Sequence, residues 1–291
     1  MALDGEKLTL CWPNYVNEAS LSGGNWSSQM PVDFLKSQLF SRKAVSVTAD
    51  PSDTQILMQV SRFKPVYTVA IAAHNLTTPA QWRVRGYYNQ NYTEQQFDTG
   101  WVDVWPAVYS TAELEWEFDN FWLGTLAEED RGNFTPLSYL FLDNPYICQS
   151  LHIEISDPSN PDGYVAIGRL LVSDAWQPEI NMAYGVTYGY ENGTTVDEAN
   201  DPNRTEHFDP ATPKRTMSFT LDALSEDEAF NRVHRMQRVQ GVHNEVFVAE
   251  GVKYRPEKLN RVFIGRITEP DPISHPYYQT YSTILSLKEI L

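Results

Sequence analysis

The sequence predicts a mainly β protein: a sandwich or jelly roll over residues 24–177, then a small β-sandwich or barrel with one packed helix over 178–291. Three observations predict it. Short β-branched and aromatic runs separated by turn residues recur from residue 43 onward. Residues 146–178 (YICQSLHIEISDPSNPDGYVAIGRLLVSDAWQP) read as strand, turn, strand, because Leu151, Ile153 and Ile155 alternate with His152 and Glu154 before the turn residues Asp157-Pro158 to Asp162-Gly163. Past residue 178 the texture changes, and a single segment carries strong helix signals.

In order along the chain, residues 1–23 form an extended lead, in which the alternating segment 7–12 (KLTLCW) is a candidate strand of the C-terminal barrel, paired far away in sequence. Ser22-Gly23-Gly24-Asn25 is a break. Strands are predicted next at 43–48, 54–60, 65–73, 81–88, 99–105, 113–119, 150–156 and 164–173. Eight short strands of this composition suggest a sandwich or jelly roll. Residues 31–40 have a helical look, about two turns long. Asn120 to Pro145 reads as a long loop, of the kind that is functional or held by contact with something else. Residues 191–214 (ENGTTVDEANDPNRTEHFDPATPK) are polar and contain three prolines, so they read as a mobile hairpin tip or as an arm that orders against a neighbour. A strand at 215–222 precedes the helix, 226–240. Ser225 and Glu228 form a capping box at its start, Arg232, Arg235 and Arg238 follow the acidic first turn, and Gly241 ends it. Strands near 242–249, 260–268 and 278–289 complete the chain.

Composition excludes several function classes. The formal net charge is −16, with acidic residues in excess in both halves, which argues against nucleic-acid binding. No apolar run approaches the roughly 20 residues of a transmembrane helix. The N-terminus MALDGEKLTLCW is acidic and lacks the apolar core of a secretory signal. Cys11 and Cys148 stand far apart with no CxxC or zinc spacing, which favours two buried thiols and leaves a disulfide open.

No catalytic motif emerges: there is no GxSxG, HExxH, P-loop or GxGxxG opening a helix, and no cofactor is expected. His74, at a strand end, reads as a hydrogen-bonded loop histidine. Glu113, Glu115 and Glu117 alternate with Leu114, Trp116 and Phe118, which predicts a solvated acidic face opposite a buried one; paired carboxylates for glycoside hydrolysis are the alternative. The sets Asp157/Asn160/Asp162 and Asp98/Asp103 are the loop positions most like a calcium site, although no DxDxDG loop is present and no metal is expected. With 13% aromatic residues, the chain has stacking faces to spare. A sugar site needs a flat aromatic face for the C–H side of the ring and amides, carboxylates or arginines for the hydroxyls. Tyr87, Tyr88, Asn89, Asn91 and Tyr92, with Trp101 and Trp105, are the candidate carbohydrate-binding residues.

The strand-turn-strand of 146–178 resembles the closing hairpin of galactose-binding-like (discoidin-like) jelly rolls. The stretches NPDGYVAIGRL, DAWQP, TQILMQVSRFKPVYTVAIAAHNLTTPAQWRVRGY and DTGWVDVWP look like tail-tip and baseplate (distal-tail-like) proteins of long-tailed bacteriophages that carry this jelly roll. The order of elements after 178 is similar to the barrel of tail-tube, tail-hub and distal tail proteins. Asp50-Pro51-Ser52-Asp53 replaces the tryptophan expected before the TQ strand, so membrane-inserting spikes are not recognisable. The resemblance implies a structural virion protein at the tail tip or baseplate, made in the host cytoplasm. It would form a ring of its own copies, contact other tail proteins, and use its jelly roll to brace the assembly or touch host surface glycan. A carbohydrate-binding module or a subunit of a carbohydrate-active enzyme is the alternative.

Overall fold

The computed structural model describes residues 3–109, 114–117, 120–122, 124–125, 134–198, 206–253 and 260–291. The fold is mainly β and antiparallel. The strands are β1 (Leu8–Cys11), β2 (Ser20–Ser22), β3 (Ala44–Val45), β4 (Ile56–Ala72), β5 (Gln81–Tyr87), β6 (Gln95–Asp98), β7 (Val102–Asp103), β8 (Leu137–Ser156), β9 (Ala166–Ile167), β10 (Arg169–Ser173), β11 (Ala175–Trp176), β12 (Thr187–Glu191), β13 (Thr195–Glu198), β14 (Glu206–Asp209), β15 (Lys214–Leu224), β16 (Glu245–Glu250), β17 (Val262–Pro270), β18 (Ser274–Tyr277) and β19 (Thr280–Glu289). Two compact units are present. One holds residues 1–177 with 247–262, the other 178–246 with 263–291.

In the first unit the main sheet runs β10-β4-β8-β5-β6, with β2 paired to β4 and β7 to β5. Here β8 lies between β4 and β5, so the chain leaves the sheet and returns, the crossing of a Greek-key jelly roll. Alternation sorts the side chains. Ile56, Met58, Trp82, Val84, Leu151, Ile153 and Ile155 share one core with Tyr15, Val16, Leu35, Ala44, Val165 and Ile167 from the opposing layer. That layer contains the β3–β9 pair and two 3-10 turns, Tyr15–Glu18 and Val32–Lys36. The N-terminal lead is stitched to it. Asn14 donates to Leu170 O (2.9 Å) and accepts from Val172 N (3.0 Å), and buried Arg169 donates to Leu35 O (2.9 Å) and Asn17 Oδ1 (2.5 Å). Strand β1 pairs with both β11 and β16, Leu8 facing Glu250.

Several sequence expectations change here. Segments 54–60 and 65–73 are one strand, β4, whose register slips between Gln59 and Lys64. The last third of the expected loop 120–145 belongs to β8, which starts at Leu137. The register on β8 jumps where Val66 faces Tyr146 and Thr68 faces Phe141, so Pro145 sits in an irregular stretch that needs no ladder donor. The helical look of 31–40 comes to a single 3-10 turn, Val32–Lys36. Within the expected strand 113–119 the described residues 114–117 make a bend and turn, Glu115 and Glu117 are exposed, and Trp116 is 73% exposed where the sequence places it in the core. Among the described residues no strand pairs with 114–117, and pattern without pairing makes no sheet. Glu113 and Phe118 lie outside the described residues.

In the second unit the strand order is β17-β19-β15-β12, with β18 on β19. Strand β15 buries Met217, Phe219 and Leu221, and β19 buries Leu285 and Leu287. The buried Arg215–Glu289 ion pair closes one end, with the guanidinium 5.4 Å from the Phe263 ring centre. The capping box forms as the sequence predicts: Glu228 N donates to Ser225 Oγ (3.3 Å) and Ser225 N to Glu228 Oε2 (3.1 Å). A π-helical stretch, Glu228–His234, runs into α1 (Arg235–Gln240) and buries Ala229, Val233, Met236 and Gln240. Gly241, at φ 53°, ends the helix. The segment 191–214 holds β13 and β14, which among the described residues pair with each other and with no further strand.

Candidate ligand-binding surface

Strand β5 positions the residues the sequence singles out, and it separates them. Its C-terminal residue Tyr87 faces Gln95 across the β5–β6 hairpin, while Trp82, near its start, faces Val102 of β7. The 87–92 group and the Trp101/Trp105 group therefore lie at opposite ends of β5, about 17 Å apart at about 3.4 Å per residue. Trp105 is buried. Its Nε1 donates to Leu76 O (3.0 Å), and its ring meets His74 edge-on at 5.4 Å. Trp101 is exposed at that far end.

At the hairpin end the turn is tightly organised. Asn89 caps it: its Oδ1 accepts from Thr93 N (3.1 Å) and its Nδ2 donates to Thr93 Oγ1 (2.7 Å). Ser150 Oγ donates to Asn89 O (2.6 Å). Tyr92 takes a left-handed backbone (φ 57°) and turns its ring edge to buried Tyr87 at 5.5 Å. Two glutamines staple the turn to β4: Gln59 Nε2 donates to Gln90 O and Gln90 Nε2 to Val60 O, both at 2.9 Å. Asn89, Tyr87 and Tyr92 are thus framework.

What the framework presents is Tyr88, 41% exposed, with its ring 4.5 Å from that of exposed Phe63 at an interplanar angle of 31°. Phe63 sits in the irregular stretch of β4 between Gln59 and Lys64, which carries it out of the ladder. Exposed Arg62 and Asn91 neighbour the pair in the chain. Sequence reading missed Phe63. The signal was an aromatic residue in the polar gap SRFK between two strand-like runs.

Strands β5 and β8 also carry a charged ladder. Arg85 donates to Glu154 Oε2 (2.6 Å), Arg85 Nη2 and His152 Nδ1 are 3.0 Å apart, and His152 Nε2 and Gln55 Oε1 are 3.2 Å apart. Arg83 pairs with Asp98 through two nitrogens, and this holds the Asp98 carboxyl down at about 2. Burial lowers the His152 imidazole. These groups are engaged with one another, with the buried Arg85 Nε left without a hydrogen-bond partner.

The loop carboxylates are likewise engaged. Asp157 accepts from Thr77 N (2.9 Å), Thr77 Oγ1 (2.5 Å) and Asn160 Nδ2 (2.9 Å), and Asp162 accepts from Asn75 Nδ2 (2.8 Å). Donors fill the positions a cation would need, so the Asp157/Asn160/Asp162 set is a loop latch. Asp103 accepts from Gln81 (2.8 Å), away from Asp98, so those two do not converge. Cys11 and Cys148 are buried thiols, each pushed up to about 12 by burial.

A scan against protein-family models finds no match, and neither does a search of curated proteins. Among solved structures the chain is similar to the family 32 carbohydrate-binding module from C. perfringens NanJ in complex with galactose. The identity is 12% and the TM-score 0.36, over 57% of this chain and 99% of that one. It is also similar to a family 32 module from a family 31 glycoside hydrolase of Clostridium perfringens (8% identity, TM-score 0.35, 55% of this chain and 97% of that one). A third is the family 32 module of Streptococcus pneumoniae EndoD (9% identity, TM-score 0.34, 56% of this chain and 99% of that one). At these scores the strand order described above, and not the likeness, carries the fold.

Proposed function

We propose that the chain is a non-catalytic binding protein whose jelly roll holds a carbohydrate on the Phe63–Tyr88 surface. The observation that carries this reading is the exposed aromatic pair on a turn that is otherwise pinned. A stacking face held by Asn89, Gln59, Gln90 and Ser150 costs little ordering entropy on binding. A pyranose would lay its C–H face on the rings and direct hydroxyls to Arg62 and Asn91. Trp101, at the other end of β5, would serve a separate surface. A glycan array probed with the intact chain tests this. Retention of one glycan class by the wild type and its loss in Phe63→Ala is the expected result. A blank array, or binding unchanged by the substitution, overturns it.

The second reading is a structural protein of a phage tail tip or baseplate, located in the virion and assembling with its own copies and other tail proteins. The specific observation favouring it is the wholly exposed β13–β14 ribbon, a shape suited to reaching a neighbour. Finding the chain in purified tailed particles by mass spectrometry would support it. Its absence from them would refute it.

A further inference from the structure

Asn192-Gly193 is the one Asn-Gly step in the sequence, and it lies between β12 and β13. Both residues are exposed. Asn192 Oδ1 accepts from Thr194 N (2.9 Å), which bends the side-chain amide back along its own main chain. The ring closed by that bond includes both the Asn192 Cγ and the Gly193 nitrogen. The bond also draws electron density from the amide carbonyl, which makes its carbon more electrophilic. Among the described residues neither the Gly193 N–H nor the Asn192 Nδ2 makes a hydrogen bond, so the nucleophile and the leaving group are both open to water.

The fold does not require glycine at this position. Gly193 has no left-handed φ, and a Cβ there would meet Ala211 Cβ at 3.5 Å, an ordinary contact. What the missing side chain does is leave the main-chain nitrogen uncrowded. The two Asp-Gly steps of the chain supply the contrast. Asp4 makes the same turn, its Oδ1 accepting from Glu6 N (3.0 Å), but a carboxylate is a poor electrophile and has no ammonia to release. At Asp162-Gly163 the glycine N–H is taken by Asn160 O (3.0 Å), and Asp162 accepts from Asn75 Nδ2 (2.8 Å).

We propose that the folded chain modifies itself at Asn192, through a succinimide, to aspartate and isoaspartate. The Gly193 nitrogen gives its proton to solvent base and attacks Asn192 Cγ. The N–Cγ bond forms, the Cγ–Nδ2 bond breaks, and the nitrogen leaves as ammonia with a proton from water. Water then opens the ring at either carbonyl. Opening at Cγ yields aspartate, and opening at the main-chain carbonyl yields isoaspartate, whose chain runs on through Cγ. Either product adds a negative charge next to Glu191, which pairs with Lys288, and the second also lengthens the link between β12 and β13. This inference stands apart from the carbohydrate reading.

Incubation of the intact chain in mildly alkaline buffer tests it, read by peptide mass mapping and by isoaspartyl methyltransferase labelling. The chain unfolded in guanidinium chloride is the reference. The mass gain of amide-to-acid conversion should appear at Asn192 before any other asparagine, with the label on the same peptide. Gly193→Ala should slow it about tenfold or more, because a methyl group then crowds the attacking nitrogen. Asn192→Gln, whose ring would need a further atom, should lose the label. Circular dichroism checks that both variants keep the fold. No conversion at Asn192 in the folded chain, over a time in which the unfolded chain converts, overturns the proposal. So does conversion as fast in Gly193→Ala as in the wild type, or a label that persists in Asn192→Gln.

Discussion

The rings of Phe63 and Tyr88 lie 4.5 Å apart although their strands do not pair at that point. They meet because β4 slips its register after Gln59 while the β5–β6 turn folds back over it. Such a pair contributes about 0.5–1.5 kcal/mol beyond burial. It is exposed, so its removal touches no core, and Tyr88→Ala should lower stability by about 1 kcal/mol or less in urea denaturation. A loss of several kcal/mol would mean that the rings are structural.

Trp82 and Trp116 should behave as opposites. Trp82 is fully buried between the layers, and Trp82→Ala should cost about 3–5 kcal/mol. Trp116→Ala, on an exposed turn, should stay within about 0.5 kcal/mol. Chemical denaturation of the two variants separates them, and a large loss at Trp116 would contradict its placement.

Gly86 has no room for a methyl group. A Cβ there would lie 2.1 Å from the Phe97 ring, which covers β5 and packs 5.1 Å from Tyr146. Gly86→Ala should destabilise by about 1–3 kcal/mol through overpacking. Adding Phe97→Leu should recover part of that loss. Additive losses in the double variant would show that the ring is not the obstacle.

His74 sets an acid limit. It is buried, its Nδ1 accepts from Leu76 N (3.3 Å), and desolvation with the nearby Lys43 charge lowers its pKa from 6.5 to about 3. The folded state thus binds its proton less readily than the unfolded chain. The associated stability is complete above about pH 6.5 and falls by up to about 1.4 kcal/mol per pH unit below it. Denaturation between pH 7 and 5 should show this slope, and His74→Gln should flatten it. That window precedes the one in which Asp98 loses its pairing with Arg83, between its ordinary 3.8 and about 2. An equal slope in both proteins would contradict the assignment.

Legibility in the sequence followed the physics of pairing. Alternation placed Trp82, Val84, Ile153 and Ile155 in the core because β5 and β8 are neighbours whose inward residues meet. The capping box was readable because all its partners are local. The same alternation misled at Glu115 to Glu117, where no strand lies alongside among the described residues. The β8 stretch before Pro145 was hidden because pairing with β4 overrides its turn residues. For the site, sequence proximity stood in for spatial proximity. It brought Tyr87 to Tyr92 together correctly, joined them to Trp101 and Trp105 across the length of β5, and missed Phe63, which only a register slip delivers.

Saturation-transfer NMR on the intact chain, with a panel of neutral methyl pyranosides, tests the central claim most directly. The account predicts transfer to the ring C–H protons of at least one sugar, lost in a folded Tyr88→Ala variant. No transfer to any of them, or transfer undiminished in that variant, would contradict it.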